Sequence, residues 1–204
     1  MGPHALSGLS GHGAAGGAVI VDTTCSTKRR WPVYADLRLD HNPEVKPDIV
    51  ADTRRLPFAD GTVDELWCDP PHIVKSHKNH SPHIDDEMYF GLSEASRRAT
   101  AGYRRFSIWD SMAEYLSWLT DTSREFRRVL KPYGIVRYKT TDGSRSHGTT
   151  IRVADAITAF ESAGFRLVLD DAAVSTGFFA RWHAKHHGTV TYTHYLTFQA
   201  RGVP

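Results

Sequence analysis

An apolar run that closes on an acid, two prolines and an imidazole, Val63-Asp-Glu-Leu-Trp-Cys-Asp69-Pro70-Pro71-His72, holds the residues of this chain best suited to chemistry. Proline cannot donate to a ladder and stiffens the backbone beyond it, so the run reads as a buried strand stopping at the edge of a sheet, with Asp69 held at its end. In open α/β sheets ligands bind just outside the carboxyl ends of the strands. The Asp69 carboxylate and the Pro70 carbonyl are two acceptors in a fixed relation, and His72 carries a flat ring that could stack on a planar ligand. The same residues also suit a plain proline turn whose Asp caps a nearby group.

Other acids recur at strand ends. Ala18-Val-Ile-Val-Asp22 predicts a first buried strand, followed by the small residues Thr23-Thr24-Cys25-Ser26-Thr27, which could let the backbone approach a ligand through its N–H groups. No glycine lies between Asp22 and Gly61, so that loop has little freedom at positive φ. Val33-Tyr-Ala-Asp36-Leu-Arg38 predicts a second strand, with Asp36 placed to accept ribose hydroxyls and Asp40 its competitor. Pro47-Asp-Ile-Val-Ala-Asp52 predicts a third, leading into Thr53-Arg-Arg-Leu56-Pro-Phe. Strands ending in Asp22, Asp36, Asp52 and Asp69 make a set that a random α/β domain would seldom produce.

Bulk composition bounds the rest. At 204 residues and 40% hydrophobic, the chain suffices for one domain with a real core. No apolar run is long enough for a membrane span and no basic-then-apolar leader opens the chain, which predicts a cytoplasmic protein. Cys25 and Cys68 make no disulfide framework, and neither follows a proline, so the Pro-Cys nucleophile of carbon-5 cytosine methylation is missing. Lys+Arg 25 against Asp+Glu 23 neither demands nor excludes nucleic acid, because a local basic strip matters more than the total.

Asp-Pro-Pro before a ring resembles the fourth motif of methyltransferases that methylate exocyclic base amines with S-adenosylmethionine (SAM), where the ring is more often Tyr, Phe or Trp. Asp22-Thr-Thr-Cys-Ser, Asp36-Leu-Arg, Pro47-Asp-Ile-Val-Ala-Asp, Leu56-Pro-Phe, Asp69-Pro-Pro-His and Arg128-Val-Leu-Lys-Pro together look like small, often phage-associated class I methyltransferases with a DPPH motif. That resemblance covers most of residues 18–200. It implies an α/β, Rossmann-like domain with a seven-stranded, mostly parallel sheet whose last strand is antiparallel. It implies SAM as cofactor, held by Asp22, Thr23, Cys25, Asp36, Asp52, Thr53 and Leu56, with Asp52 on the adenine amine. Asp69, Pro70, Pro71 and His72 would form the catalytic motif. A conjugated amine is a poor nucleophile; two acceptors on its N–H groups would localise the lone pair and aim it at the sulfonium methyl. His72 would stack on a base taken out of any duplex.

Residues 1–17 predict a mobile Gly-rich tail, in which Gly11 and Gly13 follow no strand and bind no phosphate. Residues 18–204 form the predicted domain. A long loop at about 73–107 interleaves Arg97, Arg98, Arg104 and Arg105 with Tyr89, Phe90 and Tyr103, which suits a lid over nucleic acid. Its His77, His80 and His83 lack the partners of a zinc site, and no metal is expected. Lys28-Arg29-Arg30 and the stretch Arg181, His183, Lys185, His186, His187 are further basic segments, with a solvated surface as the plain alternative.

A helix is predicted over Asp110–Leu130, with Ser111 and Glu114 at capping-box spacing and Met112, Tyr115, Leu116, Leu119, Phe126 and Leu130 on one face. A strand over Ile135–Lys139 comes next, with Lys139 either facing the site or snorkelling to solvent. A second helix to Ala163 turns its Val153, Ile157 and Phe160 inward and stops at Gly164, and two final strands, 165–169 and 193–198, close the chain. DNA ranks ahead of RNA as partner, and the oligomeric state is open. The alternatives are an RNA or small-molecule methyltransferase of the same fold, or a non-catalytic nucleic-acid-binding relic of it.

Overall fold

The computed structural model describes residues 17–25, 35–71, 73–74, 108–109, 111–141, 143–145, 148–150, 152–174 and 192–202. Residues 1–16 of the expected 1–17 tail, the basic run 28–30, His72, nearly all of the long loop and the 181–187 stretch lie outside them.

Strands β1 (Ile20–Asp22), β2 (Leu37–Asp40), β3 (Ile49–Val50), β4 (Val63–Cys68), β7 (Leu130–Thr141), β10 (Phe165–Val174) and β11 (Tyr192–Ala200) form a seven-stranded sheet. Its order is β10-β11-β7-β4-β1-β2-β3. Every pairing from β3 through β7 is parallel, and β11 runs antiparallel to both β7 and β10. This is the mostly parallel α/β sheet, with its last strand inserted antiparallel, that the resemblance implied. Pairs β5 (Ile73–Val74) with β6 (Ile108–Trp109) and β8 (Gly143–Arg145) with β9 (Gly148–Thr150) stand apart from it.

The described residues of Met1–Asp69 and Trp118–Pro204 form one compact unit and those of Pro70–Ser117 a second. Within the second, the Trp109 ring N–H donates to the Pro71 carbonyl at 3.0 Å, and Trp109 meets Tyr115 edge-on with centroids 5.8 Å apart. The Ser111 hydroxyl accepts from the Glu114 N–H at 3.1 Å, the helix start that the capping-box spacing predicted.

Helix α1 (Met112–Val129) and helix α2 (Arg152–Ser162) supply apolar stripes. On α1, Tyr115, Trp118, Leu119, Phe126 and Val129 are buried. Leu116, expected inside, is 38% exposed, while Trp118 is buried with its ring N–H donating to the Thr53 hydroxyl at 3.0 Å. On α2, Ala156 and Phe160 are buried and Gly164 stops the helix at φ +91°. Val153 and Ile157, predicted inward, are half-buried. Phe160 is the centre of the core: its ring stacks on Phe198 at 4.4 Å and meets Tyr138 at 5.2 Å, Phe165 at 5.4 Å and Phe126 at 6.2 Å. Alternation decides which strand residues join this core: Leu66, Cys68, Val136 and Tyr138 are fully buried, while Glu65, Trp67, Arg137 and Lys139 look to the other face.

Early in β7, between the pairings of Leu130 with Val63 and of Ile135 with Glu65, the strand makes an irregular turn through Tyr133 at φ +65° and Gly134. A Cβ at Gly134 would stand 2.9 Å from a Leu130 methyl and 3.0 Å and 3.1 Å from the Lys131 and Asp64 carbonyl oxygens, so the turn needs glycine for close approach. Among the described residues no helix is long and apolar enough to cross a membrane.

Candidate active site

The carboxyl ends of parallel β2, β1 and β4 present Asp40, Asp22 and Asp69. Burial pushes the Asp22 carboxyl up to about 6, with Asp69 and Asp40 adding to the rise and Arg38 and the Thr24 N–H opposing it. Asp22, in the field of the other two carboxylates, makes this edge a place for cationic or N–H-bearing ligands.

The second strand starts later than expected. Pairing of Val21 with Leu37 starts β2 at Leu37, so Asp36 precedes the strand and Asp40 ends it. The Asp36 carboxylate accepts from the Ile20 N–H at 2.8 Å, at the amino end of β1, where it closes the sheet's opposite rim. Asp64 serves similarly there, accepting from Val19 N–H at 2.8 Å and from Lys131 at 2.7 Å. Burial opposes ionisation of Asp64, yet these bonds hold its carboxyl below the usual range. The strand-end acid beside Asp22 is therefore Asp40, whose side chain is 13% exposed and accepts from the Asn42 N–H at 2.9 Å.

Thr23 donates both its N–H and its hydroxyl to the Trp67 carbonyl, at 2.9 Å and 2.8 Å. The Thr24 N–H donates to Asp22 at 3.1 Å, and the Cys25 N–H to the Leu39 carbonyl at 3.0 Å. Of the Thr23–Thr27 run expected to approach a ligand, the N–H groups of Thr23, Thr24 and Cys25 thus bond to β4, β1 and β2, while Ser26 and Thr27 lie outside the described residues. Both thiols are buried, Cys25 pushed up to about 11 and Cys68 higher still, so neither is a thiolate nucleophile near neutral pH.

Asp69 is held at both ends. Its N–H donates to the Thr24 hydroxyl oxygen at 2.6 Å, and its carboxylate accepts from Lys139 Nζ at 2.7 Å, with the two side chains 12% and 15% exposed. Of the two sequence readings of Lys139, the structure selects the one facing the site. Thr24 carries no sequence signal for this role beyond its membership of a run of small residues. Among the described residues no donor reaches the Pro70 carbonyl, whereas that of Pro71 is taken by Trp109.

Asp52 follows β3, and its two oxygens accept from Arg54 Nε and Nη2 at 2.6–3.1 Å. The Arg54 hydrogen bond is the first cause holding its carboxyl below the usual range. Thr53 and Leu56 belong to the framework. The Thr53 hydroxyl is buried against α1, accepting from the Trp118 ring N–H at 3.0 Å and lying 3.2 Å from the Thr122 hydroxyl. Leu56 is in the core, its N–H donating to Glu125 at 2.7 Å and its carbonyl accepting from Arg128 at 3.1 Å. Arg128 also grips the Phe58 carbonyl, Asp60 and Glu125 at 2.6–2.9 Å. The Leu56-Pro-Phe and Arg128-Val-Leu-Lys-Pro phrases are thus two halves of one clamp. Among the described residues no group of three or more His, Cys, Asp or Glu could hold a metal ion.

No protein-family model and no curated protein matches the chain. Among solved structures, it is similar to a putative DNA modification methylase from Thermus thermophilus complexed with S-adenosyl-L-methionine (17% identity, 75% of this chain and 54% of that one, TM-score 0.45). It is also similar to a SAM-dependent methyltransferase from Methanosarcina mazei (9% identity, 90% and 92%, TM-score 0.49) and to TrmN from Thermus thermophilus (14%, 89% and 43%, TM-score 0.48). The chain spans about half the length of the Thermus DNA modification methylase.

Proposed function

We propose that this chain is a SAM-dependent methyltransferase that methylates an exocyclic amino nitrogen of a nucleobase, adenine N6 or cytosine N4, in DNA ahead of RNA. The observation that carries the reading is Asp69, at the end of β4, fixed by Thr24 and Lys139 at a sheet edge that also holds Asp22 and Asp40. That donor set suits the cofactor: its ammonium and sulfonium groups are cationic, and the edge offers carboxylate acceptors while the N–H groups of residues 23–25 are spent. Asp22 would hold the ammonium, Asp40 the ribose hydroxyls, and Asp52 the adenine amine. SAM would supply an electrophilic methyl carbon. Asp69 and the Pro70 carbonyl would accept the two N–H groups of the target amine, localising its lone pair and aligning it for in-line attack. His72 would stack on the extruded base. The domain over 18–204, with basic segments at about 73–107 and 181–187 engaging phosphates, belongs to the same proposal.

Titration calorimetry with SAM tests the cofactor: micromolar-range binding is expected, and its absence refutes the reading. Mass spectrometry of nucleosides from DNA and RNA after incubation with labelled SAM tests the acceptor. Asp69→Ala should keep SAM binding and lose methyl transfer; a folded, fully active variant sinks the mechanism. The spent N–H groups after β1 favour one rival, a nucleic-acid-binding relic of the fold, which predicts DNA binding with a steep salt slope and no SAM affinity.

A further inference from the structure

We infer that Lys139 is a positioning residue for the acceptor chemistry at Asp69, its ammonium fixing the orientation of the carboxylate that receives the target amine. The inference rests on the proposed amino-group methyl transfer. Its physical basis is strand register. Parallel pairing of Cys68 with Tyr138 brings the next residues, Asp69 and Lys139, level with each other at the carboxyl ends of β4 and β7. Tyr138 turns fully into the aromatic core, so alternation sends Lys139 to the opposite face, where Nζ meets Asp69 Oδ2 at 2.7 Å. The partners are 70 residues apart in sequence, and both side chains are largely withdrawn from water.

A carboxylate can rotate about its χ angles. The Thr24 hydroxyl fixes the Asp69 backbone at 2.6 Å but leaves those angles unset. The Lys139 ammonium, 2.7 Å from Oδ2, restrains them. An acceptor aimed in advance is worth more at the reacting nitrogen than one that must reorganise, and a misplacement of about 1 Å can cost about 100-fold in rate. A merely structural ion pair would instead support folding without favouring turnover over cofactor binding.

The full chain is assayed with labelled SAM and DNA, alongside Asp69→Ala, Lys139→Met and Lys139→Arg, with melting curves and SAM calorimetry on each. Lys139→Met should lower kcat about 100-fold while SAM affinity stays within about twofold of wild type. Lys139→Arg, which can still donate to Asp69, should recover to within about tenfold. Should the Met variant fail to fold, Lys139→Gln keeps a donor without charge and should lose about tenfold in kcat. An active wild type with an inactive Asp69→Ala but undiminished kcat in the folded Lys139 variants overturns the inference alone. Equal falls in kcat and SAM affinity overturn it too, as the mark of a structural pair. A wild type that transfers no methyl, or an active Asp69→Ala, overturns the proposed function and this inference with it.

Discussion

Replacing Asp22 by Asn should stabilise the ligand-free chain in a pH-dependent way while weakening its hold on SAM. Burial raises this carboxyl from its ordinary 3.8 to about 6. Between those pH values the folded chain keeps a proton that the unfolded chain has released, so the folded state binds more protons and stability falls as pH rises. The contribution is fully present below the unfolded value and is lost as pH climbs through about 6. Converting the difference gives about 3 kcal/mol lost from acid to neutral pH. Asn removes that dependence yet keeps an Oδ1 to accept the Thr24 N–H, which now donates to Asp22 at 3.1 Å. Urea denaturation followed by tryptophan fluorescence, on apo wild type and Asp22→Asn across roughly pH 3.5 to 7.5, reads the difference directly. The Asn variant's advantage should grow by about 3 kcal/mol over that range, whatever constant offset the new amide adds. A difference that stays flat with pH refutes the reasoning, because it would mean that Asp22 feels water as freely in the folded chain as in the unfolded one. Calorimetry on the same variant should show SAM affinity reduced at least tenfold at neutral pH, the trade expected when a group is kept charged at a cost to stability.

Three further substitutions probe the framework. Phe160→Ala empties the ring cluster around Phe198, Tyr138, Phe165 and Phe126 and should cost about 3–5 kcal/mol in denaturant midpoint analysis. Arg128→Met leaves Glu125, whose side chain is 12% exposed, without its guanidinium and frees the Leu56 and Phe58 carbonyls; a loss of about 2 kcal/mol by thermal melting is expected. Gly134→Ala forces a methyl to within 2.9 Å of Leu130 and about 3 Å of two carbonyl oxygens, and should cost about 1–3 kcal/mol by the same measurement.

Local pattern was enough to find the elements. The runs ending at Asp22 and Asp69, the amphipathic stretch that became α1 and the stop at Gly164 are properties of short segments, set by alternation, capping and glycine's φ range, and they stand in the structure. The order of strands and the inserted last strand were legible only through resemblance, because periodicity says nothing about neighbours. The second strand shows where local reading stops. Val33 to Arg38 and Leu37 to Asp40 are both acceptable strands as segments, and only pairing with Val21 chooses the later one, exchanging Asp36 for Asp40 at the carboxyl rim. Likewise Leu116 fits the helical stripe as well as Trp118 does, and the Thr53 hydroxyl beneath the helix decides for the indole.

What the sequence by itself determined is which residue types close each strand: acids with prolines behind one of them, at an edge where a parallel sheet takes its ligands. What only the tertiary structure decided is which of those acids face one another and what holds them. Thr24 under Asp69 and Lys139 beside it are contacts across 45 and 70 residues. Such contacts come from the register of neighbouring strands, a property of the closed sheet that no single stretch of chain carries.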